Sequence, residues 1–127
     1  MLSTGAADQA LGWQQLDSAT RQKIKPEYNT ADIKLVVSAF SLTKMPTTAG
    51  MDAASTMNKM AAWVKQYGLD GIDVDYEDLA AMNAGDGKVE AWLKTFTKTL
   101  RSQLPQSQYI LTHAHKWICN SELKELY

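Results

Sequence analysis

The stretch Leu69-Asp70-Gly71-Ile72-Asp73-Val74-Asp75-Tyr76-Glu77 decides the fold of this chain. Its second half alternates acidic residues with bulky ones, and a period of two is typical of a β-strand. On a strand, Asp73, Asp75 and Glu77 point to one face, with about 6.5–7 Å between successive side chains. The intervening residues face the other side and can bury against helices: Ile72, Val74 and Tyr76. Aspartate is depleted in strands, so this row of like charges indicates chemistry more than folding.

Other interpretations of the acidic row are less consistent with its surroundings. A half-exposed antiparallel strand also alternates, but long helical patterns on both flanks favour βαβ units and a parallel sheet. A calcium-binding EF-hand loop would need Gly at the position of Asp78 and Glu at that of Ala84. A divalent-cation site of another kind remains an alternative, although the wide spacing of the acids disfavours it.

The rest of the chain predicts helices that alternate with strands. A helical pattern runs from about Ala7 to Ile24, with a possible restart at Asp17-Ser18, and Pro26 is expected to end it. Further helices are predicted over 51–67 and 88–104, strands over 33–40 and 109–114, and loops over 44–50 and 78–87. The apolar run at 33–40 is typical of a strand that is buried on both faces.

Capping residues and large aromatic residues refine these predictions. Gly68 is expected to close the 51–67 helix in the left-handed conformation, and Asp86 to cap the 88–104 helix. Trp13 is interpreted as a packing residue. Asp70 is out of phase with the other acids, so we expect it to pair with backbone or a helix at the strand entrance.

Residues 70–77 resemble the DGxDxDxE signature of glycoside hydrolase family 18, the chitinases and their relatives. The resemblance implies an α/β fold, a partial (β/α)8 TIM barrel with parallel strands and flanking helices. It covers about residues 3–114, around barrel strands three to five, within a single predicted domain over 1–127. Residues 115–127 form a divergent C-terminal tail. The family usually carries SxGG on its third strand; here Ser38 matches the Ser, while Phe40 and Ser41 replace the two glycines.

The resemblance also implies a reaction on chitin or N-acetylglucosamine oligosaccharides. Glu77 would be the general acid and base, Asp75 would hold the substrate's acetamide group, and Asp73 would share a proton with Asp75. Family 18 enzymes use this acetamide as the nucleophile in place of a second carboxylate. Tyr76 and Ser38 are assigned to substrate binding, and neither a cofactor nor a metal is expected. The alternative is a non-catalytic, lectin-like or truncated inactive protein.

Composition limits the other partners. The net charge of −1 gives no basic excess for nucleic acid, and no apolar run is long enough to cross a membrane. The start of the chain lacks a signal-peptide pattern, whereas the resemblance implies secretion. Cys119 is the only cysteine, so it cannot form an internal disulfide. His113 and His115 would share a face of a strand as two ligands of a metal site, but two ligands without a third are weak evidence for one.

The length of 127 residues is about half of the roughly 250 that a complete barrel of this type needs. An incomplete barrel leaves open strand edges, which favour self-association. We therefore expect that this chain alone forms a dimer or a larger assembly or folds loosely, and that it hydrolyses chitin oligomers poorly or not at all.

Overall fold

The computed structural model of the protein describes residues 6–41 and 44–114. Within these ranges, helices and strands follow one another in an α/β order. The helices are α1 (Asp8–Gln15), α2 (Ser18–Thr30), α3 (Ala53–Gln66), α4 (Leu79–Ala84) and α5 (Lys88–Gln103). The strands are β1 (Val36–Phe40), β2 (Gly71–Asp75) and β3 (Ile110–His113).

The three strands form a parallel sheet in the order β1-β2-β3. Helix α3 connects β1 to β2, whereas α4 and α5 connect β2 to β3, as expected for successive βα units. The predicted fold class is confirmed: the described residues form a segment of a (β/α)8 barrel with parallel strands and flanking helices.

The core lies between one face of the sheet and helices α3 and α5, which pack against each other. The helices supply the predicted apolar stripes, including Met57, Met60 and Val64 from α3 and Leu93, Phe96 and Leu100 from α5. The strands supply Val37, Ala39, Ile72 and Val74. Burial of this apolar surface is the main force that holds the helices on the sheet.

The opposite face of the sheet is open in the described part of the chain. Val36 is 42% exposed and Ile110 is 38% exposed. The prediction that the 33–40 segment is buried on both faces is therefore wrong, because the described helices cover only one face. In a closed barrel this open face points towards the barrel interior.

Gly71 permits the close approach of β3 to β2. A Cβ atom at this position would lie 2.1 Å from the backbone oxygen of Ile110. The glycine of the signature is therefore required by the packing of two backbones.

Asp70 fixes the entrance of β2, as predicted. Its carboxylate accepts a hydrogen bond from the backbone N–H of Leu35 at 2.7 Å and forms an ion pair with Lys25 of α2. Its backbone N–H also donates to the carbonyl of Leu35 at 2.8 Å, and its carbonyl accepts from Ile110 N–H at 2.8 Å. Asp70 thus ties the first strand, the third strand and α2 to the start of β2.

The ends of α3 follow the sequence prediction. Gly68 has a φ of 65° and follows the helix in the left-handed conformation. The N–H of Leu69 donates to the carbonyl of Val64 at 3.1 Å, and that of Gly68 donates to Lys65 at 3.3 Å. These two bonds define a Schellman motif, which ends the helix and directs the chain into β2.

The N-terminal helical region differs from the prediction. Asp17 does cap a restarted helix, because its side chain accepts from the N–H of Thr20 at 2.8 Å. Pro26, however, lies inside α2, which continues to Thr30. Proline removes its own N–H from the helix, and its ring crowds the carbonyl of Gln22. Both residues are exposed, so this carbonyl can tilt towards water and bond there.

The segment predicted as a loop over 78–87 contains the short helix α4. Asp78 precedes it and accepts from the N–H of Ala81 at 3.2 Å, which makes Asp78 its N-cap. At the start of α5 the N-cap is Gly87, not Asp86. Asp86 still accepts from the N–H of Lys88 at 3.1 Å and so supports the first turn.

No helix in the described ranges is long and apolar enough to cross a membrane. The tail at 115–127, with His115 and Cys119, lies outside the described residues.

Candidate active site

The acidic row lies along the open face of β2. Asp73 and Asp75 belong to the strand, and Glu77 follows two residues after its C-terminal end. All three side chains are half-buried, so they remain accessible from the open face. The alternate residues, including Tyr76, are buried on the side of the helices. The acidic side chains and the buried side chains therefore lie on opposite faces of the sheet, as predicted.

Two hydroxyl side chains flank Asp73 in the neighbouring strands. Ser38 of β1 and Thr112 of β3 are both in register with Asp73. Residues in register lie side by side and face the same side of the sheet. Thr112 Oγ1 donates a hydrogen bond to Asp73 Oδ1 at 2.6 Å.

Sequence reasoning assigned Ser38 to this site but missed Thr112. The signal that could have identified Thr112 is its hydroxyl in a strand that otherwise carries Ile110, Leu111 and His113. The hydroxyl group of Thr112 thus holds one carboxylate oxygen of Asp73 from the neighbouring strand.

Asp75 lies in the most unfavourable electrostatic position of the row. Burial raises its pKa above the ordinary value of 3.8, and the nearby charges of Glu77 and Asp73 raise it further. Both causes act in the same direction, because each disfavours the ionised form. The carboxyl group of Asp75 is therefore harder to ionise than that of an aspartate in water.

Phe40 departs from the alternation of its own strand. It is in register with Asp75, so the pattern of Val36 and Ser38 would place its ring beside the acids. Instead its φ is 75°, and its ring packs against Trp92 and Phe96 of α5, with centroids 5.5 and 5.4 Å away. The reversed backbone moves the ring into the core and keeps it off the open face.

Ser41 also has a positive φ, of 117°. Residues 40 and 41 are the positions at which the family pattern has glycines, which adopt positive φ without a Cβ penalty. The backbone thus has a conformation that glycine favours, although neither residue is glycine. Ser41 N–H donates to the carbonyl of Asp75 at 3.0 Å, which ties this turn to the end of β2.

Tyr76 was assigned to substrate binding from the sequence. In the structure its side chain lies on the face of the sheet opposite to the acids. Its side chain is only 4% exposed, and its ring packs against Trp92 with centroids 5.7 Å apart. Its hydroxyl donates to Thr47 Oγ1 at 2.6 Å. Burial raises the pKa of Tyr76 to about 12, so the phenol is neutral near pH 7. The alternation of the strand explains this placement, because Tyr76 lies between two outward-facing acids.

Asp78, which sequence reasoning assigned only to a loop, is fully buried. Its carboxylate accepts from Thr48 N–H at 2.7 Å and from Thr48 Oγ1 at 2.6 Å, besides the cap to Ala81. Burial raises the pKa of a carboxyl group, but here these hydrogen bonds outweigh it and the pKa of Asp78 lies below the ordinary 3.8. Asp78 is therefore a satisfied buried anion directly after Glu77.

Within residues 6–41 and 44–114, no group of three or more His, Cys, Asp or Glu side chains is arranged to hold a metal ion.

A comparison with solved structures finds a protein with a similar fold. The chain is similar to a GH18 chitinase from Pseudoalteromonas aurantia, known from a crystal structure, with 29% sequence identity and a TM-score of 0.62. The match covers 77% of this chain and 36% of the chitinase chain, so the present sequence spans about a third of that protein. No family model and no curated protein matches the chain. The described residues thus have a GH18-like fold.

Proposed function

We propose that this chain is a chitinase-like glycoside hydrolase, or part of one, that cleaves β-1,4-linked N-acetylglucosamine polymers. The observation that carries the proposal is the row Asp73, Asp75 and Glu77 on the open face of β2, with Glu77 at the C-terminal end of the strand. Active sites of (β/α)8 barrels lie at this end of the strands. The similarity to a GH18 chitinase supports the same assignment.

In the proposed reaction, Glu77 protonates the glycosidic oxygen as the bond to the anomeric carbon breaks. The carbonyl oxygen of the substrate's 2-acetamido group attacks that carbon from the other side and forms an oxazolinium ion. Glu77 then removes a proton from the water that opens this ring. The two inversions retain the configuration of the sugar.

Asp75 is proposed to hold the acetamide N–H and to stabilise the positive charge that develops on the oxazolinium ring. Its raised pKa supports proton sharing with Asp73, which the hydrogen bond from Thr112 holds in place. In the protein without substrate, the negative charges of the row repel one another. A cation that forms beside Asp75 attracts these charges and so offsets their repulsion. The carboxylates therefore interact more favourably with the transition state, which carries a positive charge, than with one another in the protein without substrate.

Ser38 is proposed to contribute from β1, where it is in register with Asp73 and exposed on the open face. Tyr76 is better explained as a residue that supports the strand end from the core side, because its ring is buried. Chitin is an external polymer, so an enzyme with this activity would work outside the cell.

The experiment that tests the proposal compares wild type, Glu77→Gln and Glu90→Gln, each carried within a complete (β/α)8 barrel, on soluble N-acetylglucosamine oligomers. Glu90 is an exposed residue of α5, so its substitution controls for loss of a carboxylate elsewhere. We expect Glu77→Gln to lower product release at least about 10²-fold, as for removal of a general acid, while oligomer binding is kept. Glu90→Gln should behave as wild type.

Three results would contradict parts of this proposal. Near-wild-type product release by Glu77→Gln would exclude Glu77 as the acid. Oligomer binding without product release by wild type would identify a lectin-like protein. Absence of both binding and release would exclude the assignment to chitin for this chain.

A further inference from the structure

Both sequence neighbours of Glu77 are held by one turn that follows β1. Thr47 Oγ1 accepts the hydroxyl hydrogen of Tyr76 at 2.6 Å. Thr48 donates to the carboxylate of Asp78 from both its N–H, at 2.7 Å, and its Oγ1, at 2.6 Å. Adjacent threonines of one segment therefore anchor the residues immediately before and after the proposed general acid.

The backbone of Glu77 is also fixed directly. Asp78 has φ −76° and ψ 73°, the conformation of the central residue of an inverse γ-turn. The N–H of Leu79 closes this turn by donating to the carbonyl of Glu77 at 2.9 Å. The chain thus turns sharply after Glu77. With the backbone fixed in this way, the carboxyl group of Glu77 can move only by rotation about the χ angles of its side chain.

The burial of Asp78 is costly for a residue that serves folding alone. An aspartate with no exposed area must have its desolvation offset by hydrogen bonds, whereas an exposed Asp or Ser is sufficient to cap a helix. Asp17 and Asp52 do so elsewhere in the chain as exposed residues. A fully satisfied buried polar network, by contrast, makes its surroundings rigid.

We propose that Thr47 and Thr48 are positioning residues for Glu77, acting through Tyr76 and Asp78. This inference rests on the proposed function of Glu77 as general acid. Neither threonine is assigned a contact with substrate. Their role is to fix the peptide units on both sides of Glu77, so that its carboxyl group meets the glycosidic oxygen in one orientation. A displacement of about 1 Å in a reacting group can cost about 10²-fold in rate.

The test uses Thr48→Val, which removes the hydroxyl donor and keeps the shape of the side chain. Thr48→Ser restores the hydroxyl and serves as the rescue variant. Thr95→Val is the matched control, because Thr95 is an exposed residue of α5 whose hydroxyl bonds only within its own helix. Two quantities are measured on each folded protein: kcat and KM on N-acetylglucosamine oligomers, and the χ1 rotamer populations of Glu77 from three-bond NMR couplings.

We expect Thr48→Val to lower kcat by about 10- to 10²-fold with less than a twofold change in KM, and to spread Glu77 over more than one χ1 rotamer. Thr48→Ser and Thr95→Val should keep the wild-type values. If Thr48→Val does not fold, Thr47→Val carries the test, since it removes only the acceptor of the Tyr76 hydroxyl.

The rotamer measurement separates this inference from the proposed function. If wild type cleaves no oligomer, the proposed function fails, whereas the rotamers of Glu77 still decide whether the threonines position it. If oligomers are cleaved but Thr48→Val and Thr47→Val leave both kcat and the rotamer of Glu77 unchanged, the positioning role is overturned. If Thr48→Val or Thr47→Val lowers the stability of the protein but leaves kcat and the rotamer of Glu77 unchanged, the threonines stabilise the fold and do not position Glu77.

Discussion

Gly71→Ala should destabilise the protein, although alanine is the smallest possible addition to glycine. The new Cβ would lie 2.1 Å from the backbone oxygen of Ile110, whereas ordinary contacts begin at 3.4 Å. A backbone oxygen cannot rotate away as a flexible side chain can. Strand β3 would therefore have to move by about 1 Å, since close-packed interiors transmit such strain.

The size of the effect follows from the contacts that this movement breaks. The Ile110 N–H to Asp70 bond, at 2.8 Å, and the Thr112 to Asp73 bond, at 2.6 Å, both depend on the position of β3. Each such bond contributes about 0.5–1.5 kcal/mol net, and overpacking adds about 1–3 kcal/mol. We therefore expect the free energy of unfolding to fall by about 2–6 kcal/mol.

Gly12→Ala is the matched control for this prediction. Gly12 lies in α1, and no atom lies within 4 Å of a Cβ built there. Alanine at an unstrained helical position should raise the free energy of unfolding by about 0.5–1 kcal/mol. Urea denaturation of both variants measures the two shifts. A Gly71→Ala midpoint at or above that of wild type would refute the close approach of β3 to β2.

Two further substitutions test the strain and charge at the candidate site. Asp75→Asn should stabilise the protein at pH 7, by about 0.5–2 kcal/mol, because a raised pKa means that the ionised carboxylate costs the folded state free energy above that pKa. The gain should vanish in denaturation experiments below pH 3.8, the ordinary pKa, where Asp75 is protonated in both the folded and the unfolded protein. An Asp75→Asn variant that is less stable than wild type at pH 7 would contradict this account. Ser41→Gly should raise the free energy of unfolding by up to about 2 kcal/mol, since it relieves a positive φ at the entropic cost of glycine. Ser41→Ala loses the same hydroxyl but keeps the Cβ, so equal thermal midpoints for the two variants would exclude backbone strain at this residue.

The sequence predicted most of the fold because its strongest signals are local and periodic. The stripes of α3 and α5, the alternation of β2 and the left-handed Gly68 are each determined by a few neighbouring residues. The extension of α2 through Pro26 was missed because a proline inside a helix costs about 3 kcal/mol and usually ends it, whereas here the helix continues to Thr30 with the freed carbonyl facing water. Helix α4 was missed because its six residues are too few to show a periodicity.

The candidate site was predicted only in part, because its supports come from distant segments of the chain. The signature identified the row on β2, but the partner of Asp73 comes from β3, 39 residues later. The partners of Tyr76 and Asp78 come from a turn about 30 residues earlier. No pattern in one segment encodes such contacts. The reversal of Phe40 was also hidden, since a positive φ at a phenylalanine is the least expected conformation for that residue.

The two ends of β2 show different uses of the same residue type. At its entrance, Asp70 forms an ion pair with Lys25 and accepts a backbone hydrogen bond, so its charge stabilises the fold. At its exit, Asp75 is partly desolvated beside two other acids, and the adjoining turn carries positive φ values at two residues that are not glycine. Each of these features costs free energy, and each could be removed by a single common substitution. Their concentration within one end of the sheet is difficult to explain by folding. It is explained if that end must stabilise a positive charge that the free protein does not contain, as the proposed oxazolinium ion would provide.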